Sequence, residues 1–314
     1  MTTPPVGRGR GPSATTARTV AQAKINLFLR VLAREDTGYH QIETLFCRLT
    51  LGDDVTVRVD ARGRSLDATG DAIPSSGLGP VEQNLAWRAA EAFAATTGWP
   101  NDWAIEIRKR IPVGGGLGGG SADAGAVLRC LNALAPAPLE RDALLGLAAS
   151  LGADVPFLSL DAPTALAWGR GDRMIVLPAL AARDVALACF PFGVPTPEAY
   201  RWLDETRSAH PASVRAFELA ALADWASVAR LAHNDFEPIV GRRFAAISNV
   251  LETWRSTASL RRDPHAIAQV AGSGATVFAI ADTLESDVDR MLDPSIRVVW
   301  TRTADRVVAV EASG

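Results

Sequence analysis

Residues 112–122 read PVGGGLGGGSA, six glycines in eleven positions, and behind them Val127, Leu128, Leu131 and Leu134 fall at the spacing of a helix face over Asp123 to Leu134. Such a segment is suited to one arrangement, a close-wrapping loop that opens a helix. Residues without Cβ let main-chain N–H groups crowd around an anion. A helix start aims its unpaired N–H groups and positive dipole end at the same point. The ligand implied is a phosphate, with Ser121 at the expected N-cap position.

Several phosphate loops share this look. Gly114, Gly116 and Gly119 satisfy the dinucleotide spacing G-x-G-x-x-G, and Glu140 follows downstream. That fingerprint requires a buried parallel strand just ahead of it. Here WAIEIRKRIP alternates apolar with charged residues, and Pro112 intervenes. A P-loop requires a lysine directly after its last glycine, and neither lysine of the chain follows a glycine. A plain flexible linker would not run straight into a helix.

Composition narrows the partner. A net charge of −3 with scattered basic residues leaves no electrostatic footprint for nucleic acid or an anionic membrane, so a small molecule is expected. No apolar run reaches the roughly 18 residues of a membrane span. Cys47, Cys130 and Cys189 are far apart and odd in number, which points to reduced thiols in a cytoplasmic protein. The four histidines, at 40, 210, 233 and 265, lack zinc spacing. Of 32 basic residues only Lys24 and Lys109 are lysine. Against that arginine background, each is either a required compact point charge or a surface residue.

With 314 residues, two domains are expected, with the boundary near 178. Residues 1–19 read as a disordered tail in preference to a transit peptide. From Val20 a strand alternates, with Lys24 and Asn26 on one face; EDTG at 35–38 turns it into a second strand through Ile42, Thr44 and Phe46. Further strands are predicted at 55–59, 103–107, 165–168, 174–177, 185–190 and 276–280. Helices are predicted at 84–95, 139–151 with Gly152 as the C′ residue, 197–206, 214–231 and 242–257.

These residues carry a resemblance that covers nearly the whole chain after residue 20. PVGGGLGGGSADA resembles the ATP loop of the GHMP kinase superfamily, P-x-x-x-G-L-x-S-[SA]-A in outline. AKINLFLRVLAREDTGYHQIETLF at 23–46, LGADVPF at 151–157, NDFE at 234–237 and GSGATVF at 272–278 are similar to one branch of it, in the same order. The resemblance implies an α+β, two-domain GHMP kinase fold: an N-terminal ATP-binding domain, 20–178, a C-terminal domain, 179–314, and the active site in the cleft between them. It implies ATP as phosphoryl donor with Mg2+, and an alcohol substrate carrying a cytidine diphosphate group, used in isoprenoid precursor synthesis. A monomer or weak homodimer is expected.

Carried over residue by residue, the resemblance makes Lys24 and Asp154 catalytic, the carboxylate facing the substrate hydroxyl and the ammonium paired with it. Pro112, Val113, Gly114, Gly115, Gly116, Leu117, Gly118, Gly119, Gly120, Ser121 and Ala122 hold the nucleotide, with Lys109 approaching it. Ser121 is also the candidate for meeting magnesium, Ala122 standing where many relatives have a second serine. Tyr39 and Tyr200 would flank the cytosine ring, with His40 reading its edge, and Asn26 and Thr196 would bond the substrate. Asp123 reads as a helix-dipole residue, and NDFE as helix packing.

Overall fold

The structure, a computed structural model, describes residues 14–206, 218–289 and 292–314. Its frame is a long hairpin, β1 (Thr16–Arg34) and β2 (His40–Arg58), closed by a turn in which Gly38 N–H donates to Glu35 and Glu35 N–H to Tyr39. The two strand segments expected at 42–46 and 55–59 are one continuous strand. Thr16–Thr19, within the expected tail, already belong to β1; residues 1–13 lie outside the described residues.

β3 (Arg64–Thr69) follows, and α1 (Leu85–Thr97) is capped by Asn84, whose side chain accepts from Ala86 N–H at 2.9 Å. β4 (Trp103–Arg108) feeds the glycine loop, and α2 (Gly119–Leu134), α3 (Arg141–Leu151), α4 (Val155–Ser159), β5 (Thr164–Gly169) and β6 (Arg173–Leu177) complete this half. Gly152 follows α3 in extended backbone, not the left-handed turn expected of it.

The second half runs β7 (Asp184–Cys189), α5 (Thr196–Thr206), α6 (Trp225–Leu231), β8 (His233–Asn234), α7 (Glu237–Arg243), α8 (Ala245–Ser256), α9 (Ala258–Arg262), β9 (Ile267–Val270), β10 (Val277–Ala281), β11 (Arg297–Arg302) and β12 (Glu311–Ser313). The helix expected at 242–257 is broken at Phe244, so Arg242 and Arg243 end α7 and α8 starts afresh. Of the helix expected at 214–231, residues 214–217 lie outside the described residues, Leu219–Ala223 form a 3₁₀ turn and only Trp225–Leu231 are α-helical.

Two sheets result. The first has the order β12-β1-β2-β4-β3, with β5 also on β2, β6 on β5 and β8 on β1; the second is β11-β7-β10-β9, antiparallel throughout. The run VFAIA of β10 is apolar on both faces because both are covered. Phe278 and Ile280 face the core shared with the first sheet, whereas Val277, Ala279 and Ala281 face α5, α7 and α8. The chain also crosses back over residue 178, since β8 and β12 both pair with β1. Among the described residues no helix is long and apolar enough to cross a membrane.

Helices α2 and α4 meet at Gly125, where a Cβ would lie 2.6 Å from the Leu158 carbonyl oxygen. Gly146 in α3 has open space instead. Gly125→Ala should therefore lower stability by about 1–3 kcal/mol through overpacking, while Gly146→Ala should raise it by up to about 1 kcal/mol through helix propensity. Urea midpoints for the two variants test the opposite signs.

Candidate active site

The glycine loop leaves β4 and enters α2 through Gly118, which takes the N-cap position with φ of 71° and no side-chain cap. Two glycines then form the first helical turn, so Ser121 is the third residue of α2. The expected Ser121 N-cap is thereby corrected: a left-handed glycine starts the helix earlier than a serine would. Ala122 N–H bonds the Gly118 carbonyl at 2.8 Å, leaving the N–H groups of Gly119, Gly120 and Ser121 without intrahelical partners. A cavity of about 330 Å³ opens here, walled by Pro112 through Ser121 with Asn84, Leu85 and Lys109. Ala122, expected among the nucleotide contacts, is buried and is not one of its walls.

The loop is anchored at both ends by one buried ion cluster. Lys109 Nζ lies 2.5 Å from Asp53 Oδ2 and 2.6 Å from Asp123 Oδ2, and the other oxygen of Asp53 accepts from the N–H groups of Arg110 and Ile111. Lys109 is thus neither a solvated charge nor a free cation, and Asp123 is an ion-pair partner rather than a helix-dipole residue. Burial raises the Asp123 carboxyl above the usual carboxylate range, opposed by the Lys109 ammonium and reinforced by Asp53. Burial alone would lower Lys109, but Asp123 and Asp53 outweigh it and hold the ammonium above the usual lysine value. Asp53 escaped the sequence reading, because its only local signal is a buried lysine that needs a counter-charge.

On the other side of the loop a second cavity, of about 340 Å³, shares Gly116, Gly118 and Ser121 with the first. Lys24 forms its floor, buried, with Nζ 3.2 Å from Asp154 Oδ2 and 3.0 Å from Asn26 Oδ1. Asn26 passes its other end to Thr44 Oγ1, which donates in turn to the Phe28 carbonyl, so both polar ends of Asn26 are engaged in holding the lysine. The main-chain N–H of Lys24 donates to the Leu117 carbonyl, tying the strand to the loop. Asp154 occupies the N-cap position of α4 but caps nothing, which leaves its carboxylate directed at Lys24. Arg48, fully buried, donates to the carbonyls of Phe157, Leu160 and Ala162 and so holds α4 in place.

The second half closes this cavity with Thr196, Tyr200, Gly272 and Ser273, Thr196 Oγ1 lying 3.0 Å from Ser273 Oγ. A Cβ on Gly116 would overlap the Ala271 carbonyl oxygen, so only glycine allows the two loops to meet. The NDFE segment has a larger role than helix packing: Asn234 Nδ2 donates to the carbonyls of Val270 at 2.7 Å and Gly272 at 2.8 Å, while Asn234 pairs with Leu29 of β1. Tyr200 is packed edge-on to Phe236, and burial followed by the charge of Asp154 pushes its phenol up to about 12, so it stays neutral. His40 and Tyr39 are not walls of the cavity: the imidazole lies flat on Tyr200, and the Tyr39 ring lies under Arg170 at 4.2 Å. Arg170 lines the cavity without having been singled out from the sequence, whereas Ser273 belongs to the GSGATVF motif.

This arrangement can hold a polyphosphate on one side of a glycine wall and an alcohol on the other, beside a paired carboxylate and ammonium. Residues 84–161, from the cap of α1 to just past α4, match the family described as GHMP kinases N terminal domain, and that defines the class. The chain is 41% identical over 275 residues to the 4-diphosphocytidyl-2-C-methyl-D-erythritol kinase of Mycolicibacterium vanbaalenii, with 85% of this chain and 82% of the relative covered. It is 38% identical over 307 residues to that of Leifsonia xyli subsp. xyli, with 94% of each covered. The crystal structure of a 4-(cytidine 5'-diphospho)-2C-methyl-D-erythritol kinase superposes with a TM-score of 0.69 at 31% identity, over 91% of this chain and 98% of that one. The chain belongs to the 4-diphosphocytidyl-2-C-methyl-D-erythritol kinase family.

Lys109→Met would leave Asp53 and Asp123 buried without their cation. A loss of about 3–5 kcal/mol of stability is expected, read as a lower denaturant midpoint; an unchanged midpoint would remove the cluster's role as anchor of the loop.

Proposed function

We propose that this chain transfers the γ-phosphoryl group of ATP to the 2-hydroxyl of 4-diphosphocytidyl-2-C-methyl-D-erythritol, releasing ADP and the 2-phosphate. The observation that carries the reading is the Lys24–Asp154 pair, 3.2 Å apart in the second of two cavities that share the glycine loop. Phosphoryl transfer asks a protein mainly to align the partners and neutralise developing charge. The free N–H groups at the start of α2 supply fixed positive dipoles to the triphosphate.

On the acceptor side, Asp154 orients the hydroxyl and takes its proton as the new P–O bond forms and the bond to ADP breaks. Lys24 stabilises the oxygen while it carries negative charge. Asn26 and Thr44 keep the ammonium in place. Thr196, Ser273 and Tyr200 enclose the substrate from the second half, Tyr200 offering an aromatic surface to the base.

Among the described residues no group of three or more His, Cys, Asp and Glu side chains is arranged to hold a metal ion. The Ser121 hydroxyl, on the wall common to both cavities, makes no hydrogen bond among the described residues. A neutral oxygen there fits Mg2+, which takes its remaining ligands from phosphate and water. When bound, the ion would offset phosphate charge.

ADP release in the presence of the cytidyl substrate tests the proposal, and no turnover by the unmodified chain would end it. Asp154→Ala should cost roughly 10² to 10⁴ in kcat; a rate within a few-fold of the parent would remove the proton-transfer role. Tyr200→Ala should raise KM for the cytidyl substrate while leaving that for ATP nearly unchanged.

A further inference from the structure

Thr196, Tyr200 and Asp204 stand one turn apart along a single face of α5, so the first and last are about 12 Å apart. The first two are walls of the Asp154 cavity. Asp204 is not, and phosphoryl transfer gives it no task. Its carboxylate is nonetheless held across the cleft, Oδ1 2.8 Å from His40 Nε2 and Oδ2 3.6 Å from Arg34. The His40 side chain is only 8% exposed, and its ring stacks on Tyr200 with centroids 4.5 Å apart and planes 21° apart. His40 shares a face of β2 with Ile42, itself a wall of the cavity. Among the described residues Nδ1 of His40 has no protein partner.

A carboxylate oxygen accepts, so this contact places a proton on Nε2, and in the Nε2–H tautomer Nδ1 is an acceptor. An acceptor beside a stacking ring separates the pyrimidines. Cytosine carries a donating amine at the position where uracil carries an accepting carbonyl. We propose that Asp204 is a positioning residue for base selection: by holding His40 in its Nε2–H form, it keeps Nδ1 ready to accept from the exocyclic amine of cytosine and opposed to the carbonyl of uracil. This rests on the cytidine diphosphate reading given above. Two acceptors face to face in a desolvated site leave both unpaired, and sites built to bond a donor reject analogues lacking it far more strongly than a change in apolar volume would.

Two measurements on the full chain test it. Long-range ¹H–¹⁵N correlation of the histidine rings, with His40→Gln to assign the signals, should show His40 protonated at Nε2 alone. Steady-state kinetics with the cytidyl substrate and its uridyl analogue should show a strong preference for the former. Asp204→Ala should reduce the ratio of kcat/KM values by about tenfold or more, with KM for ATP unchanged. Asp204→Asn, whose amide oxygen still accepts from Nε2–H, should hold the ratio within about threefold. A proton on Nδ1 in the parent chain, or an Asp204→Ala variant with its preference intact, overturns the role of Asp204 alone. A parent chain that turns over neither compound overturns the functional reading and the base selection with it, whatever the tautomer.

Discussion

The ammonium of Lys109, buried between Asp53 and Asp123, fixes the two ends of the glycine loop against β2. A loop with this many glycines has more backbone freedom to lose than any other segment of its length. Anchoring it at both ends limits that freedom, and the main-chain bond from Lys24 to Leu117 restrains its middle. Because Asp53 also accepts from the two N–H groups that follow Lys109, the chain direction into the loop is set by the same carboxylate that neutralises the lysine. The cavities on either side of the loop inherit their shape from this cluster.

The second half is brought to the loop by polar groups that cross between the sheets. Gln269 donates to the carbonyls of Asn26 and Leu27 at 2.8 and 3.0 Å, and Asn234 bridges β1 to the turn that carries Ser273. These bonds satisfy main-chain carbonyls that burial would otherwise leave unpaired, and so they set where the two halves meet. Lys24 and Asn26 sit on the stretch of β1 that receives them. Walls of the Asp154 cavity and the bonds that join the two halves thus lie on one strand.

What could be read beforehand was whatever a local rule governs. The glycine run announced a close-wrapping loop that opens a helix because left-handed backbone and close main-chain approach both demand glycine, and the alternation after Val20 correctly put Lys24 and Asn26 on one face. Asp154 stood out only through the motif around it. Hidden from a linear reading were pairs made by register and packing: Lys109 with Asp53, 56 residues away, and His40 with Asp204, 164 residues away. Ser121 was misplaced as a cap because the rule favours hydroxyl side chains, whereas Gly118 supplied the turn by its conformation. β3 and β12 were missed because short, mostly exposed edge strands carry little apolar periodicity.

The pairing of β12 with the opening residues of β1, Thr16 against Ser313, bears on the order in which the molecule assembles. Synthesis proceeds from the amino end, so the outer edge of β1 at Thr16–Arg18 has its partner only after almost three hundred further residues have emerged. Until then that edge presents unpaired main-chain groups, of the sort through which nascent chains pair wrongly. Arg18 faces outward there, a charge of the kind that discourages such pairing. The first sheet starts folding early and is sealed last.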